Sequence, residues 1–484
     1  MGDMRHSSIR LPLFGIGFAS LVSMALLAAD PIALGSRREL LVDHHLIDGL
    51  TSAELKLHKP VAREVAITCD KPWEGNTSAY YTLFQDGDLF RMYYRGAHFD
   101  EKTKKATHRE LTCYAESRDG ITWVKPSLGL FEFEGSKDNN IIRGGGGTHN
   151  FSPFKDMNPG CKPEARYKAL ASGTEEVGRK KRPCLHAYHS ADGVRWERTS
   201  EKPVITAGAF DSQNIAFYDR ERGEYRAYWR YFTQGYTDER GWKPGGIRAI
   251  RTATSKDFIK WDNQADLTYG DAPPEHLYTN AIRCYDRAPH LFVGFPTRFQ
   301  PKHQQVEPVF MSSRDGVNFK RWAEEVIPIT APKDRDGNRA NYMTNSLLQL
   351  PGQDKELSVY ATEAYYTGPG SRVRRFTYRT DGFVSASAAG KGELITKPIT
   401  FSGKALVVNI ISKGDTRFEL EDAAGKAVPG FTVADCAPVR GDHINQAVQW
   451  QSGDLGTLAG KPVRLRVELD KADLFSFQFA APAE

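Results

Sequence analysis

"YAESRDGITW" occupies residues 114–123, and looser copies of it return along the chain. They read "AYHSADGVRW" (187–196), "TATSKDFIKW" (252–261), "FMSSRDGVNF" (310–319) and a frayed "TYRTDGFV" (377–384). The aspartates of the phrase, Asp119, Asp192, Asp257, Asp315 and Asp381, follow one another at spacings of 73, 65, 58 and 66 residues. Asp-Gly between runs of alternating apolar residues marks a tight turn, because glycine adopts the positive φ that side-chain-bearing residues resist. The Trp or Phe that follows anchors the returning strand, so these aspartates read as turn formers and not as catalytic groups.

A second hairpin precedes each copy. "AYYTLFQDGDLFRMYYRG" (79–96) alternates around Asp86-Gly87, and "IAFYDRERGEYRAYWRYF" (215–232) around Gly223. "AIRCYDRAPHLFVGFPTRF" (281–299) turns at Ala288-Pro289, and "SLLQLPGQDKELSVYATEAYY" (346–366) at Gly352. In the second repeat, "NFSPFKD" and "YKALASG" are separated by a Pro-containing loop. Two successive hairpins make four antiparallel strands, and four-stranded units at a long period without helical periodicity predict a β-propeller. The expected fold is all-β: a five-bladed β-propeller over residues 36–385, followed by a C-terminal β-sandwich over 391–484. "RELLVDHHLI" (38–47) is expected to supply the outer strand of blade five, with His44 and His45 as strand packing and not metal ligands. "SASAAGKG" (385–392) reads as a linker.

The chain has 484 residues, 40% hydrophobic, 11% aromatic and 26% charged, which is a globular composition and excludes disorder. The net charge of +5 is spread without a basic run, so nucleic acid is not an expected partner. Arg5, His6 and Arg10 precede "LPLFGIGFASLVSMALLAA" (11–29), which reads as a signal peptide over 1–29 cleaved after Ala29, with an uncleaved anchor as the alternative. The expected location is therefore exported, periplasmic or extracellular, with no membrane attachment after cleavage. Six dispersed cysteines show no zinc spacing; Cys161 and Cys184 are the nearest pair for a bridge, and buried free thiols are the alternative.

In a propeller the first strand of each blade lines the axis, and residues just before strand one and just after strand two meet around one mouth. Blade one then offers Glu74, Asn76, Arg95 and His98, and blade two Asn150 and Asp156. Blade three offers Asp211, Gln213, Asn214 and Arg230, and blade four Glu275, His276, Tyr278, Asn280 and Arg298. Blade five adds Asn341 and Glu363. Two carboxyl groups across a funnel suit glycosidic hydrolysis, one protonating the leaving oxygen and the other activating water or attacking the sugar carbon. Glu74 and Asp211 are the first candidates and Glu363 and Asp156 the reserves. The asparagines are assigned to hydroxyls, and Arg95, Arg230 and Arg298 to a carboxylate or sulfate on the sugar or, equally, to structural salt bridges. "RGGGGTHN" (143–150) lacks the Gly-Lys-Ser/Thr of a phosphate loop and reads as an ordinary loop. No cofactor and no metal site are expected, with room left for a structural divalent cation at the funnel.

With five repeats and "PWEGNTSAYYTLFQDGDLFRMYYRG" (72–96), the chain resembles the five-bladed propeller glycoside hydrolases of families 32, 43, 62 and 68. More narrowly, it looks like secreted planctomycete-type proteins described as family 32 N-terminal-like. The resemblance implies a propeller followed by a sandwich and a secreted glycosidase acting on poly- or oligosaccharides, anionic ones among them. The alternatives are a carbohydrate-binding propeller without catalysis, and a phosphorolytic or sialidase-like enzyme on the same scaffold.

Overall fold

A computed structural model describes residues 30–177, 180–327 and 341–481; the leader read over 1–29 lies outside them. Five antiparallel sheets follow one another along the chain. Blade one holds Ala79–Asp86, Leu89–Gly96, Leu111–Ser117 and Ile141–Gly144. Blade two holds Ser152–Lys155, Tyr167–Val177, Lys180–Ser190 and Glu197–Arg198. Blade three holds Ile215–Asp219, Glu224–Asp238, Gly241–Ser255 and Asp262–Asp266. Blade four is built on Ile282–Tyr285, Ala288–Gly294, Gln305–Ser313 and Phe319–Glu325, with Thr297–Gln300 and His276–Leu277 continuing it toward one end. In blade five, Glu356–Glu363 pairs with Arg372–Arg379 on one side. On its other side it makes isolated bridges from Met343 and Leu348. The protein is a five-bladed β-propeller, and no helix among the described residues is long and apolar enough to cross a membrane.

Strand two of blade one shows why the sheets stand face to face. Successive side chains point to opposite faces, so Phe90, Met92 and Tyr94 enter a core shared with Ile67, Tyr360 and Val373 of blade five. Tyr93, between them, enters a core with Tyr167 of blade two. Both faces are therefore buried, and the strand carries apolar or aromatic side chains on each of them.

The repeated phrase is the turn between strands three and four of blades one to four. In "SRDG" the Ser117 hydroxyl accepts the Asp119 and Gly120 amides at 3.2 and 2.8 Å, and Asp119 Oδ1 accepts those of Ile121 and Thr122 at 2.8 Å each. Ser190-Asp192, Ser255-Asp257 and Ser313-Asp315 repeat the pattern. The glycine is demanded twice. Gly193 and Gly316 have φ of +82° and +77°. A Cβ at either would lie 2.8 Å from a tyrosine hydroxyl of the preceding blade, that of Tyr93 or Tyr228. Those hydroxyls donate to the Gly193 and Gly316 carbonyls, each at 2.9 Å, and Tyr360 of blade five donates to Gly120 of blade one.

The ring closes through the outer strand of blade five, and the strand that does so is Val61–Thr68, antiparallel to Arg372–Arg379. The expected segment 38–47 does not close it. Arg38–Leu40 pairs instead with Val463–Ala480 in a nine-stranded sheet, joined there by Ile32–Gly35, Ile47–Thr51 and Glu54–Leu57. The reason is burial: Leu34, Leu41, Leu46 and Ile47 find their core among Leu406, Phe418, Val467 and Phe477. "SASAAGKG" is likewise no linker but part of the strand Val384–Thr396, where small side chains at Ala386 and Ala388 pack in the same core. The six cysteines are all free thiols.

The fifth copy of the phrase has a different task, because the chain leaves the propeller there. Asp381 is fully buried and takes the φ of +60° itself. Its carboxylate accepts from Tyr285 at 2.6 Å and Arg287 at 2.9 Å in blade four, from Ser476 at 2.9 Å in the C-terminal sheet, and from Arg38 at 3.4 Å. Burial would raise its pKa, but the Arg287 and Arg38 guanidiniums outweigh it and hold the group below the usual carboxylate range.

Two outcomes follow for stability. Gly193→Ala and Gly316→Ala should each lower the thermal midpoint more than Gly87→Ala. At Gly87, φ is +63° with open space around the Cβ, so only the backbone cost of about 1–2 kcal/mol applies; equal midpoints would contradict the docking of these turns. Asp381→Asn should destabilise by about 3–5 kcal/mol, since it leaves two arginines uncompensated. Because the native pKa is depressed, this stabilisation is present above about pH 4 and is lost as pH falls through the native value. The gap between wild type and Asp381→Asn in urea titrations should therefore narrow in acid.

Candidate functional site

The inner strands begin at Ala79, Ser152, Ile215 and Ile282 and near Met343, so the residues just before them gather at one end of the axis. Below that end the axis is closed. Gln213 of blade three donates across it to the Tyr81 carbonyl at 2.9 Å and the Thr82 hydroxyl at 3.1 Å of blade one. Asn345 of blade five exchanges backbone bonds with Tyr81 and Leu83 at 2.9 and 3.0 Å. The space left among Tyr80, Gln213, Tyr342 and Tyr365 is about 10 Å³, too small for a sugar. A ligand is confined to the mouth above it.

The mouth is walled by tyrosines. Tyr278, Tyr342, Tyr365 and Tyr366 make successive edge-to-face contacts at 5.7, 5.5 and 4.7 Å. Tyr80 stands beside His149 at 5.3 Å and donates to the Asp211 carbonyl at 3.1 Å. Burial pushes the Tyr365 hydroxyl up to about 12, and those of Tyr80 and Tyr342 well above the ordinary value, so all three stay neutral donors. Tyr80 and Tyr366 hold φ of +57° and +61°, and Ala281 and Ala364 are also positive. Such backbone costs of order 1–3 kcal/mol each gather at functional positions.

Arg95 organises one side. It donates to the Thr77 carbonyl at 2.7 Å, the Tyr365 hydroxyl at 2.8 Å and Glu110 at 3.2 Å, with its guanidinium 4.9 Å over the Tyr80 ring. His149 Nδ1 lies 2.9 Å from Glu110 and its Nε2 3.3 Å from the Asp211 carbonyl. Burial works to raise the Glu110 pKa, and the bond from His149 and the charge of Arg95 overcome it, so the carboxylate stays ionised to lower pH. On the other side Asp211 pairs with Arg230, whose guanidinium lies 4.7 Å over Tyr278. Among these groups Glu110, His149 and Asp211 reach solvent, with side-chain exposures of 37, 33 and 51%.

The candidates from the sequence divide sharply. Asp211, Arg95, Arg230, Tyr278 and His276 lie at or beside the mouth, His276 accepting the Arg248 amide at 3.2 Å. Glu74 is sealed inside blade one, accepting from Tyr94 at 2.5 Å and Lys125 at 2.6 Å. Glu363 ends strand two of blade five, but where Thr362 faces the centre, Glu363 faces away and is held by Arg372 and Arg374 at 2.7 Å each. Asp156 follows strand one of blade two, about 13 Å of strand from the mouth, and is bound by Lys168 and the Tyr225 hydroxyl. Arg298 is spent on Glu275 and Glu307 in blade four.

The asparagines are buried and tie backbone. Asn150 and Asn214 both donate to the carbonyls of Phe210 and Ser212, and Asn280 to those of Gln213 and Tyr228 at 3.3 Å each. Asn76 closes on Phe99 through both its amide groups, with His98 accepting its backbone N–H at 3.3 Å, and Asn341 is buried where blade five begins. Glu110, His149 and Arg248 escaped the sequence reading. His149 directly precedes Asn150 in the Gly-rich loop, whereas Glu110 directly precedes strand three of blade one and Arg248 lies within strand three of blade three, positions outside the strand-one and strand-two ends that the sequence reading searched. Among the described residues no cluster of His, Cys, Asp and Glu forms a metal cage.

No protein-family model and no curated protein matches the chain. Solved structures that resemble it include a glycoside hydrolase at 14% identity and TM-score 0.45, covering 66% of this chain and 92% of that one. A thermostable family-43 glycoside hydrolase aligns at 12% and 0.44 over 67 and 95% of the two chains. A β-1,2-mannobiose phosphorylase from Listeria innocua, in complex with β-1,2-mannobiose, aligns at 11% and 0.44 over 66 and 96%. Likeness of this degree concerns the fold, and the chemistry of this chain lies in its own side chains.

Removing the charge of Glu74 leaves Lys125 uncompensated inside blade one. Glu74→Gln is therefore expected to lower stability by about 3–5 kcal/mol, read as an earlier urea midpoint; an unchanged midpoint would show that the buried pair is dispensable.

Proposed function

We propose that the protein is a secreted glycoside hydrolase that binds oligo- or polysaccharide at the propeller mouth. The observation that carries this reading is the convergence of Asp211, Glu110 and His149, the solvent-reaching acid–base groups, within a wall of tyrosines. Aromatic walls with a few placed polar groups are what ligand sites use. In this scheme Asp211 activates a water molecule or attacks the sugar carbon. His149, oriented through Nδ1 by Glu110, passes a proton to the leaving oxygen as the glycosidic C–O bond breaks. The scheme uses no cofactor. Export rests on the leader at 1–29.

A specific observation favours a second reading, a propeller that binds carbohydrate without cleaving it: Glu74, Glu363 and Asp156 are each neutralised by cations away from the mouth. The two separate in one assay. Purified protein is incubated with a polysaccharide panel, with and without inorganic phosphate, and products are resolved by chromatography. Hydrolysis predicts released sugar, with Asp211→Asn and His149→Ala each lowering kcat by about 100-fold or more while binding persists. Binding without any product assigns the second reading, and phosphate-dependent turnover assigns phosphorolysis.

A further inference from the structure

Arg230 and Arg248 stand on neighbouring strands of blade three, where Phe232 pairs with Arg248 and Arg230 with Ile250. Residues 230 and 232 share a face, so both guanidiniums lie on the same side of the sheet. They meet one ring, Tyr278 of blade four, at 4.7 and 5.5 Å, and Arg248 also lies 4.8 Å over Phe299. His276 stands beside them, its Nδ1 accepting the Arg248 backbone amide at 3.2 Å and lying 3.4 Å from Arg248 Nη1. Against this group stands one carboxylate, Asp211, and it is taken by Arg230 Nη2. Among the described residues no carboxylate pairs with Arg248.

Arg230 is 2% exposed, yet among the described residues its Nε and Nη1 have no acceptor, and neither does Arg248 Nε. A buried donor without an acceptor is destabilising, and two guanidiniums over one ring repel each other. Both penalties ease when an anion arrives. Burial and the Arg230 charge lower the Arg248 pKa, in keeping with an excess of positive charge here.

We propose that this arginine pair on blade three is the seat for an acidic substituent, a carboxylate or a sulfate, of the saccharide bound at the mouth. The proposal rests on the reading of the mouth as a carbohydrate site and adds its substrate class. Planar guanidinium groups bind either oxyanion through paired hydrogen bonds, and the Tyr278 face holds them in place.

Titration calorimetry with a uronic-acid oligosaccharide, its methyl ester, a sulfated oligosaccharide and its desulfated form tests this. One acidic form should bind about tenfold or more tighter than its neutral counterpart, and which one does so identifies the anion. Arg248→Gln should abolish that preference by weakening the acidic form to the affinity of the neutral one. Equal affinity of acidic and neutral forms overturns the anion seat and leaves the carbohydrate reading standing. If no saccharide binds, thermal shifts in sulfate against chloride at matched ionic strength decide: a shift that Arg248→Gln removes supports the seat and rejects the carbohydrate reading. No shift overturns both.

Discussion

Everything in this molecule depends on a tyrosine hydroxyl meeting a glycine carbonyl across the seam between two blades. Tyr93 to Gly193, Tyr228 to Gly316 and Tyr360 to Gly120 place the tight turn of one sheet against strand two of the one before it. At Gly193 and Gly316 the contact leaves no room for a Cβ, and at Gly120 the Leu350 side chain takes that space, which is why these copies of the phrase keep their glycine as well as their aspartate. Where the pairing varies, the seam finds another solution. Between blades two and three Phe258 stacks edge-on with Phe154 at 5.5 Å, and between four and five Tyr285 donates to the Asp381 carboxylate.

Fixed seams bring the inner strands close enough to bond across the axis, and this decides where chemistry can happen. Gln213 and Asn345 seal the tunnel, so the open part of the ring is a shallow mouth. The tyrosine wall and the acid–base groups Glu110, His149 and Asp211 meet there, together with the strained backbone of Tyr80 and Tyr366. The arginines have separate duties in the same space: Arg95 is saturated with partners and braces Tyr365, Glu110 and His149, while Arg230 and Arg248 keep donors unspent.

The C-terminal sheet is no appendage on a tether. Strands from both ends of the chain build it, and Asp381 binds Arg38 and Ser476 of that sheet together with Tyr285 and Arg287 of blade four. A buried carboxylate shared by two units makes their docking specific, because either unit alone would leave charge in an apolar setting. The last copy of the phrase is frayed because its aspartate serves this junction.

The five repeats, their hairpins and the turn chemistry were legible in the sequence, because tight turns and period-two alternation are local and each needs particular residue types. Asp211, Arg95 and Tyr278 were legible as mouth residues on a like ground, since Asp211 and Tyr278 lie just before the inner strands of their blades and Arg95 near the end of Leu89–Gly96, and Arg230 follows from the same hairpin geometry inside the longer strand Glu224–Asp238. What local pattern does not carry is the partner a side chain meets. Glu74 and Glu363 occupy the expected positions, yet Lys125, Arg372 and Arg374 take their charges, while Glu110 and Arg248 arrive from strand three. The closing strand was misread for a like reason: segments 38–47 and 61–68 are both able to form strands, and only the competition for buried partners in the folded chain assigns one to each sheet.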